Sequence, residues 1–261
     1  VARENGAVLA ALPAGGVAVY PAADTYSPLW RALAAGRRVL DFGDTGQVTL
    51  VSAAWTVDHW TARIGTPAGE FDCALHVAGR HNLHNALAAT ACALAAGAAL
   101  PVIAQGLDAF RPVRGRSRTL VLRQRGRVVT VVDDTYNANP DSVRAVIDVL
   151  AELPGPRLLV LGDMGEVGEQ GPAFHAEVGV YARQRGVERL LAHGPLAIHA
   201  AMAFGGGRHF EDIAPLIDAV RAHLPQCATV AVKGSRFMRM ERVVEALMVS
   251  TLGEAEAHDA A

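Results

Sequence analysis

Hydrogen-bonding side chains are densest at Asp133-Asp134-Thr135-Tyr136-Asn137-Ala138-Asn139-Pro140-Asp141-Ser142, directly after the apolar pair Val131-Val132. Asp, Asn, Thr and Tyr crowded at the carboxyl end of a strand cost stability unless each finds a partner. Asx-rich turn chemistry explains two or three of them and leaves the rest, and a carboxylate there suits ribose hydroxyls. A second cluster, Gly79-Arg80-His81-Asn82-Leu83-His84-Asn85, is wedged between a strand-like run and an apolar helix. Its His81 and His84 stand at the helical i,i+3 spacing, which serves either a metal ion or ordinary packing, and no third ligand is in view. Asn82 and Asn85 share that spacing. Each amide pairs a donor with an acceptor, as the edge of a purine requires, while Asn82 also fits a helix N-cap. The third feature is Lys233, the only lysine among 24 basic residues, in Val232-Lys233-Gly234-Ser235-Arg236. A lysine kept by chance should accept arginine. One kept for its compact ammonium should lose its chemistry on that exchange while the fold survives.

Two glycine patterns narrow the choices. Leu159-Val160-Leu161-Gly162-Asp163-Met164-Gly165-Glu166-Val167-Gly168 follows a strand and precedes a helix, but its spacing is GxxGxxG and the dinucleotide fingerprint GxGxxG is absent. Asp163 and Glu166 also stand where a pyrophosphate would approach. A loop at a sheet's carboxyl edge is nonetheless where α/β domains place ligands. No GxxxxGK[ST] occurs, because the sole lysine has the wrong context, so phosphate binding through such a loop requires another segment.

These residues need elements to hold them. From Val17 to about Gly79 the chain reads as short strands at Val17–Tyr20, Val48–Val51, Trp60–Ile64 and Phe71–Val77. An alanine-rich helix follows from Asn82 to Leu100, and Pro101 opens another through Phe110. Arg111–Arg116 has no periodicity and reads as a connector. Beyond it, strands at Val128–Val132, Arg157–Leu161, Arg189–Ala192 and Thr229–Val232 alternate with helices. The helices are read at Pro140–Leu153, Ala173–Arg185, Pro195–Ala203, Ile213–Leu224 and Met238–Val249. That alternation indicates an α/β fold with a mostly parallel sheet. Gly253–Ala261 reads as a frayed tail.

Composition excludes several classes. The chain has 261 residues, half of them hydrophobic, which is enough for a sizeable core and rules out wholesale disorder. A net charge of −2 argues against nucleic acid or an anionic membrane as a partner held by bulk charge. No apolar run reaches the roughly 20 residues of a membrane helix. Cys73, Cys92 and Cys227 form neither a disulfide framework nor a metal knuckle, so the cytoplasm is the expected compartment. The chain begins Val1-Ala2-Arg3-Glu4-Asn5-Gly6, without Met or a signal peptide, and is expected to be a fragment.

In order along the chain, GRHNLHNA from Gly79, Gly115-Arg116, DDTYNAN from Asp133, LGDM from Leu161, His175 with Val178-Gly179, and KGSR from Lys233 resemble the Mur ligases of peptidoglycan synthesis. The DDTYNAN, LGDM and KGSR forms resemble the D-alanyl-D-alanine-adding branch. The resemblance implies that residues 1–114 are the end of a central P-loop-type ATPase domain. Residues 115–261 are then a Rossmann-like C-terminal ligase domain with a mostly parallel sheet. It implies an enzyme using ATP and Mg2+ to couple UDP-N-acetylmuramoyl-tripeptide to D-alanyl-D-alanine through an acyl phosphate, with neither nucleic acid nor membrane as partner. The P-loop, the UDP-binding domain and most magnesium ligands belong to the rest of that enzyme upstream.

Carried over by motif, His81, Asn82 and Asn85 meet the adenine end of the nucleotide and Asp134 the ribose. Arg116 reaches the γ-phosphate on domain closure. Tyr136, Asn137, Asn139, Lys233, Ser235 and Arg236 line the substrate cleft, with Arg116 and Lys233 catalytic; no metal ligand is assigned within the chain. One departure stands near Asn5, where many relatives carry a carbamylated lysine and this chain has none. The competing readings are a sister Mur enzyme, a folylpolyglutamate synthase, and a non-catalytic nucleotide-binding module.

Overall fold

In the computed structural model, which describes residues 1–124 and 126–258, the chain divides into two units. One is Val1–His76 with Arg80–Phe110; the other is Val77–Gly79 with the chain from Arg111 onward. In the first unit α1 (Ala2–Ala10) and the parallel pair β1 (Val17–Ala18) and β2 (Arg38–Val39) accompany α2 (Ser27–Leu33). Leu9, Ala18, Tyr20 and Ala34 form their buried cluster. An antiparallel sheet follows in the order β3 (Thr49–Trp55), β4 (Trp60–Thr66), β5 (Gly69–Leu75). Its middle strand alternates strictly, burying Trp60, Ala62 and Ile64, as a sheet with one covered face demands. Helix α3 (Arg80–Ala95) buries Leu83, Ala86, Leu87, Thr90 and Ala91, a stripe at helical spacing. It stops before the expected Leu100 because Gly97 turns the backbone to φ +87°, and α4 (Leu100–Ala109) restarts with Pro101 in its first turn.

The second unit is one six-stranded sheet. Its strands are β6 (Arg118–Gln124), β7 (Arg127–Asp134), β8 (Arg157–Gly162), β9 (Arg189–His193), β10 (Arg208–Phe210) and β11 (Thr229–Lys233). Their order is β10-β9-β8-β11-β7-β6, parallel throughout except for β6, which pairs antiparallel with β7. Every residue of β11 is buried, the mark of a strand covered on both faces. Helices α5 (Pro140–Glu152), α6 (Gly171–Gln184), α7 (Ala197–Phe204), α8 (Ile213–His223) and α9 (Glu241–His258) supply the cover. Val129, Val131, Leu158, Val160, Val230 and Val232 pack with Leu216 and Val220 of α8 and with Val243, Val244 and Leu247 of α9. By strand alternation Leu159, Leu161 and Ala231 turn to the opposite face, where α5 meets β8 and β11.

The elements differ from the sequence expectation at the margins. Val17–Tyr20 pairs over two residues only, and α1, α2, β2, β6 and β10 lack a clear period in the sequence. Helix α9 does not end at Val249 but continues to His258, so the tail expected to fray from Gly253 is helical that far; Asp259–Ala261 lie outside the described residues.

Candidate functional site

Register assembles the first site. Parallel pairing sets Lys233 at the end of β11 opposite Asp134 on β7 and Leu161 on β8, so three strand ends meet at the carboxyl edge of the sheet. Lys233 is 2% exposed. Its Nζ donates to Asp134 Oδ2 at 2.5 Å and to the carbonyl of Asn137 at 2.9 Å. Asp134 Oδ1 accepts from the Ser117 N–H at 2.8 Å and from Ser117 Oγ at 3.2 Å. The neighbouring carboxylate of Asp133 is buried and accepts from Thr135 Oγ1 at 2.7 Å and from the Gly115 N–H at 3.1 Å. Tyr136 N–H closes the turn on the Gly115 carbonyl. Gly115 sits at φ +80°, and a Cβ there would meet Tyr136 N at 2.9 Å, which explains the glycine.

Arg116, left exposed beside this anchor, lays its guanidinium over the Tyr136 ring at 4.2 Å. Arg236, also exposed, donates to Glu241 at 3.2 Å. A concavity of about 350 Å³ is lined by Val113, Arg114, Gly115, Thr135, Tyr136, Arg236, Glu241 and Glu245. Arg114 pairs with Glu245.

The loop after β8 is held from below. Ser235 Oγ accepts from the Gly165 N–H and donates to the Ala138 carbonyl at 3.2 Å, tying three motif segments together. Asp163, buried, accepts from the Leu196 and Ala197 N–H groups at 3.0 and 2.7 Å. It satisfies the first N–H groups of α7, so it is committed to structure. His175 is fully buried. Its Nε2 must accept from the Met164 N–H at 2.9 Å, which leaves the proton on Nδ1 to donate to the Gly171 carbonyl at 2.7 Å. Burial pushes its pKa down from the ordinary value, keeping the ring neutral.

Two assigned residues turn out to have local duties. Asn139 caps α5 in a reciprocal box with Ser142, with Pro140 in the first turn. Asn137 Oδ1 accepts from the next N–H at 2.9 Å. Lys233 is buried against the carboxylate of Asp134 and the carbonyl of Asn137, where a planar guanidinium would bond in a different geometry from the compact ammonium. Asp133, Ser117 and Asp163 were given no role from sequence alone; the doubled Asp133-Asp134 was the one signal that two carboxylates needed separate partners.

The first unit carries the amides. Asn85 Nδ2 donates to Asn82 Oδ1 at 3.1 Å, and Asn82 Nδ2 lies 3.1 Å from His81 Nε2, in one polar chain on the first turn of α3. His84 packs its ring on Phe42 with centroids 5.0 Å apart, which favours packing over metal ligation. Among the described residues the group able to surround one metal ion is a different one, Asp58, His59 and His76.

Residues 117–236 match the family profile described as "Mur ligase, glutamate ligase domain", and residues 1–93 that described as "Mur ligase middle domain". UDP-N-acetylmuramoyl-tripeptide–D-alanyl-D-alanine ligase of Escherichia coli K12 is 36% identical over 252 residues, 95% of this chain and 55% of the relative. A crystal structure of MurF from Acinetobacter baumannii superposes with a TM-score of 0.80 at 32% identity, over 95% of this chain and 55% of the other. MurF from Thermotoga maritima in complex with ADP gives a TM-score of 0.74 at 23% identity over 92% and 55%, a likeness of fold alone. The chain spans about half the length of these relatives.

Proposed function

The chain belongs to the Mur ligase family, and we propose that it is the later portion of a cytoplasmic, ATP-dependent ligase. In this reading the whole enzyme joins D-alanyl-D-alanine to UDP-N-acetylmuramoyl-tripeptide during peptidoglycan precursor synthesis. Residues 1–114 would complete the ATP-binding domain and residues 115–261 form the ligase domain, with the phosphate-binding loop supplied by the rest of the enzyme upstream. The observation that carries the reading is the pairing of Lys233 with Asp134 at the sheet's carboxyl edge, beside exposed Arg116 and Arg236.

The chemistry follows from charge. ATP phosphorylates the terminal carboxylate of the tripeptide, ADP departs, and the dipeptide amine attacks the acyl phosphate; collapse of the tetrahedral intermediate releases phosphate. Negative charge grows on phosphoryl and carboxyl oxygens, so positioning and fixed cations do most of the work. Arg116, steadied on Tyr136, is suited to a phosphoryl oxygen. Arg236, Asn137 and Asn139 are suited to peptide groups, with Ser235 locking the loops that present them. Lys233 neutralises Asp134 and fixes the Asn137 carbonyl, which sets the cleft's floor. Asn82 and Asn85, with His81, are suited to the adenine edge. Asp134, already holding Ser117 and Lys233, would use its remaining lone pairs for the ribose.

ATP is the co-substrate in this reading. Mg2+ requires oxygen ligands, and the three-residue group found among the described residues is two-thirds imidazole, a donor set that does not suit magnesium. Its ligands would lie upstream, and no step here is routed through the ion.

The test is steady-state ADP release by the full-length enzyme with each substrate omitted in turn. Turnover is expected only when ATP, the UDP-linked tripeptide and D-alanyl-D-alanine are all present. Turnover sustained by glutamate in place of the dipeptide would move the chain to a sister ligase.

A further inference from the structure

The turn joining β3 to β4 carries chemistry that an amide ligase does not use. Thr56 closes it, its N–H donating to the His59 carbonyl at 2.9 Å and its Oγ1 lying 3.0 Å from His59 Nδ1. Asp58 and His59 stand at the tip, with His59 Nδ1 2.8 Å from Asp58 Oδ1. Strands β4 and β5 run antiparallel with Trp60 opposite Leu75, and the same register one step further sets His59 opposite His76. The two imidazole rings accordingly lie 4.9 Å apart, inclined at 36°. One ligand atom from each of Asp58, His59 and His76 lies within 4.8 Å of the other two, and all three residues are half-buried.

Two imidazoles and a carboxylate form a mixed nitrogen and oxygen donor set that suits zinc and its first-row neighbours. We propose that Asp58, His59 and His76 bind a divalent transition-metal cation of the zinc class, with a fourth position open to water. Zn–N bonds of ~2.0–2.1 Å in a tetrahedron separate the ligand atoms by about 3.3 Å. Closing from the observed spacing therefore asks for a shift on the order of 1.5 Å, within reach of side-chain rotation on a fixed backbone. The cation takes the place of the proton shared between His59 and Asp58. It would pin the β3–β4 turn to the end of β5 within the same three-stranded sheet. The site is independent of the ligase reading and stands or falls separately from it.

The experiment is titration of the untagged chain with Co2+, followed by visible absorption, and with Zn2+ by calorimetry. One equivalent should bind and give the intense bands of a tetrahedral site, and Zn2+ should raise the melting temperature. His76→Ala and Asp58→Asn should each weaken binding by more than the ~10–100-fold that loss of an outer-shell partner costs. A His81→Ala/His84→Ala double variant should bind as the parent does. Circular dichroism checks the fold of each variant, and Asp58→Asn, the milder change, decides if His76→Ala unfolds. Absence of saturable binding at submillimolar Co2+, unaltered affinity in Asp58→Asn, or loss of the site in the His81/His84 variant would overturn the proposal.

Discussion

Lys233→Met removes the charge at the sheet's carboxyl edge while keeping the length of the side chain. The lysine side chain is 3% exposed and its partner Asp134 17% exposed, so the pair is largely desolvated. Removing one partner of a buried pair costs about 3–5 kcal/mol, because the other charge is left uncompensated. Asp134 keeps both Ser117 bonds and some solvent, which places the loss near the lower end, about 3 kcal/mol. The Asn137 carbonyl also loses its donor. For a unit of this size each kcal/mol lowers the melting temperature by ~2–4 °C, so the drop should be about 6–12 °C. Thermal and urea unfolding by circular dichroism measure it. Adding Asp134→Asn should restore part of the loss, giving a coupling energy of at least about 1 kcal/mol. A shift under ~2 °C for Lys233→Met, or strict additivity in the double variant, would refute a buried, mutually dependent pair.

His175 has a native pKa depressed below its unfolded value, so the unfolded state binds more protons in the interval between them. Stability is then complete above the ordinary histidine range of about 6.5 and falls as pH drops through it; urea midpoints should decline on acidification, and less steeply in His175→Gln. Gly115→Ala, forced to φ +80° against Tyr136, should cost ~1–3 kcal/mol in unfolding free energy. Asn139→Ala should lose the α5 cap, about 0.5–2 kcal/mol by the same measurement. Burial pushes the Cys73 thiol up to about 11, and Cys227 upward as well. A thiol reagent at mildly alkaline pH should therefore label exposed Cys92 first, and early labelling of Cys73 would contradict the packing around β5.

Strands β8 and β11 were legible because strands covered on both faces are continuous apolar runs, and the amphipathic helices between them keep a clean period. Strand β6 was not: Arg118-Thr119-Leu120-Val121-Leu122-Arg123 mixes polar and apolar residues at an edge, and only the antiparallel register with β7 declares it. The motif residues were found, but not their division of labour. Whether Asp133 or Asp134 faces Lys233 depends on pleat and register, which put Asp134 beside β11's last residue and Asp133 against Gly115. Nor could the sole lysine be seen to be buried, because its partners lie about a hundred residues upstream. The Asp58, His59 and His76 group was equally invisible, being assembled by the β4–β5 register from residues on separate elements.

In the proposed function, these two units serve a ligase that adds a dipeptide to a nucleotide-linked tripeptide. The most direct measurement is the mass of the product that the full-length enzyme forms from UDP-N-acetylmuramoyl-tripeptide, ATP and D-alanyl-D-alanine. The expected product is heavier by one D-alanyl-D-alanine unit, with one ADP and one phosphate released per molecule formed. A product that gains a single amino acid, or ATP consumption without any new amide, would contradict it.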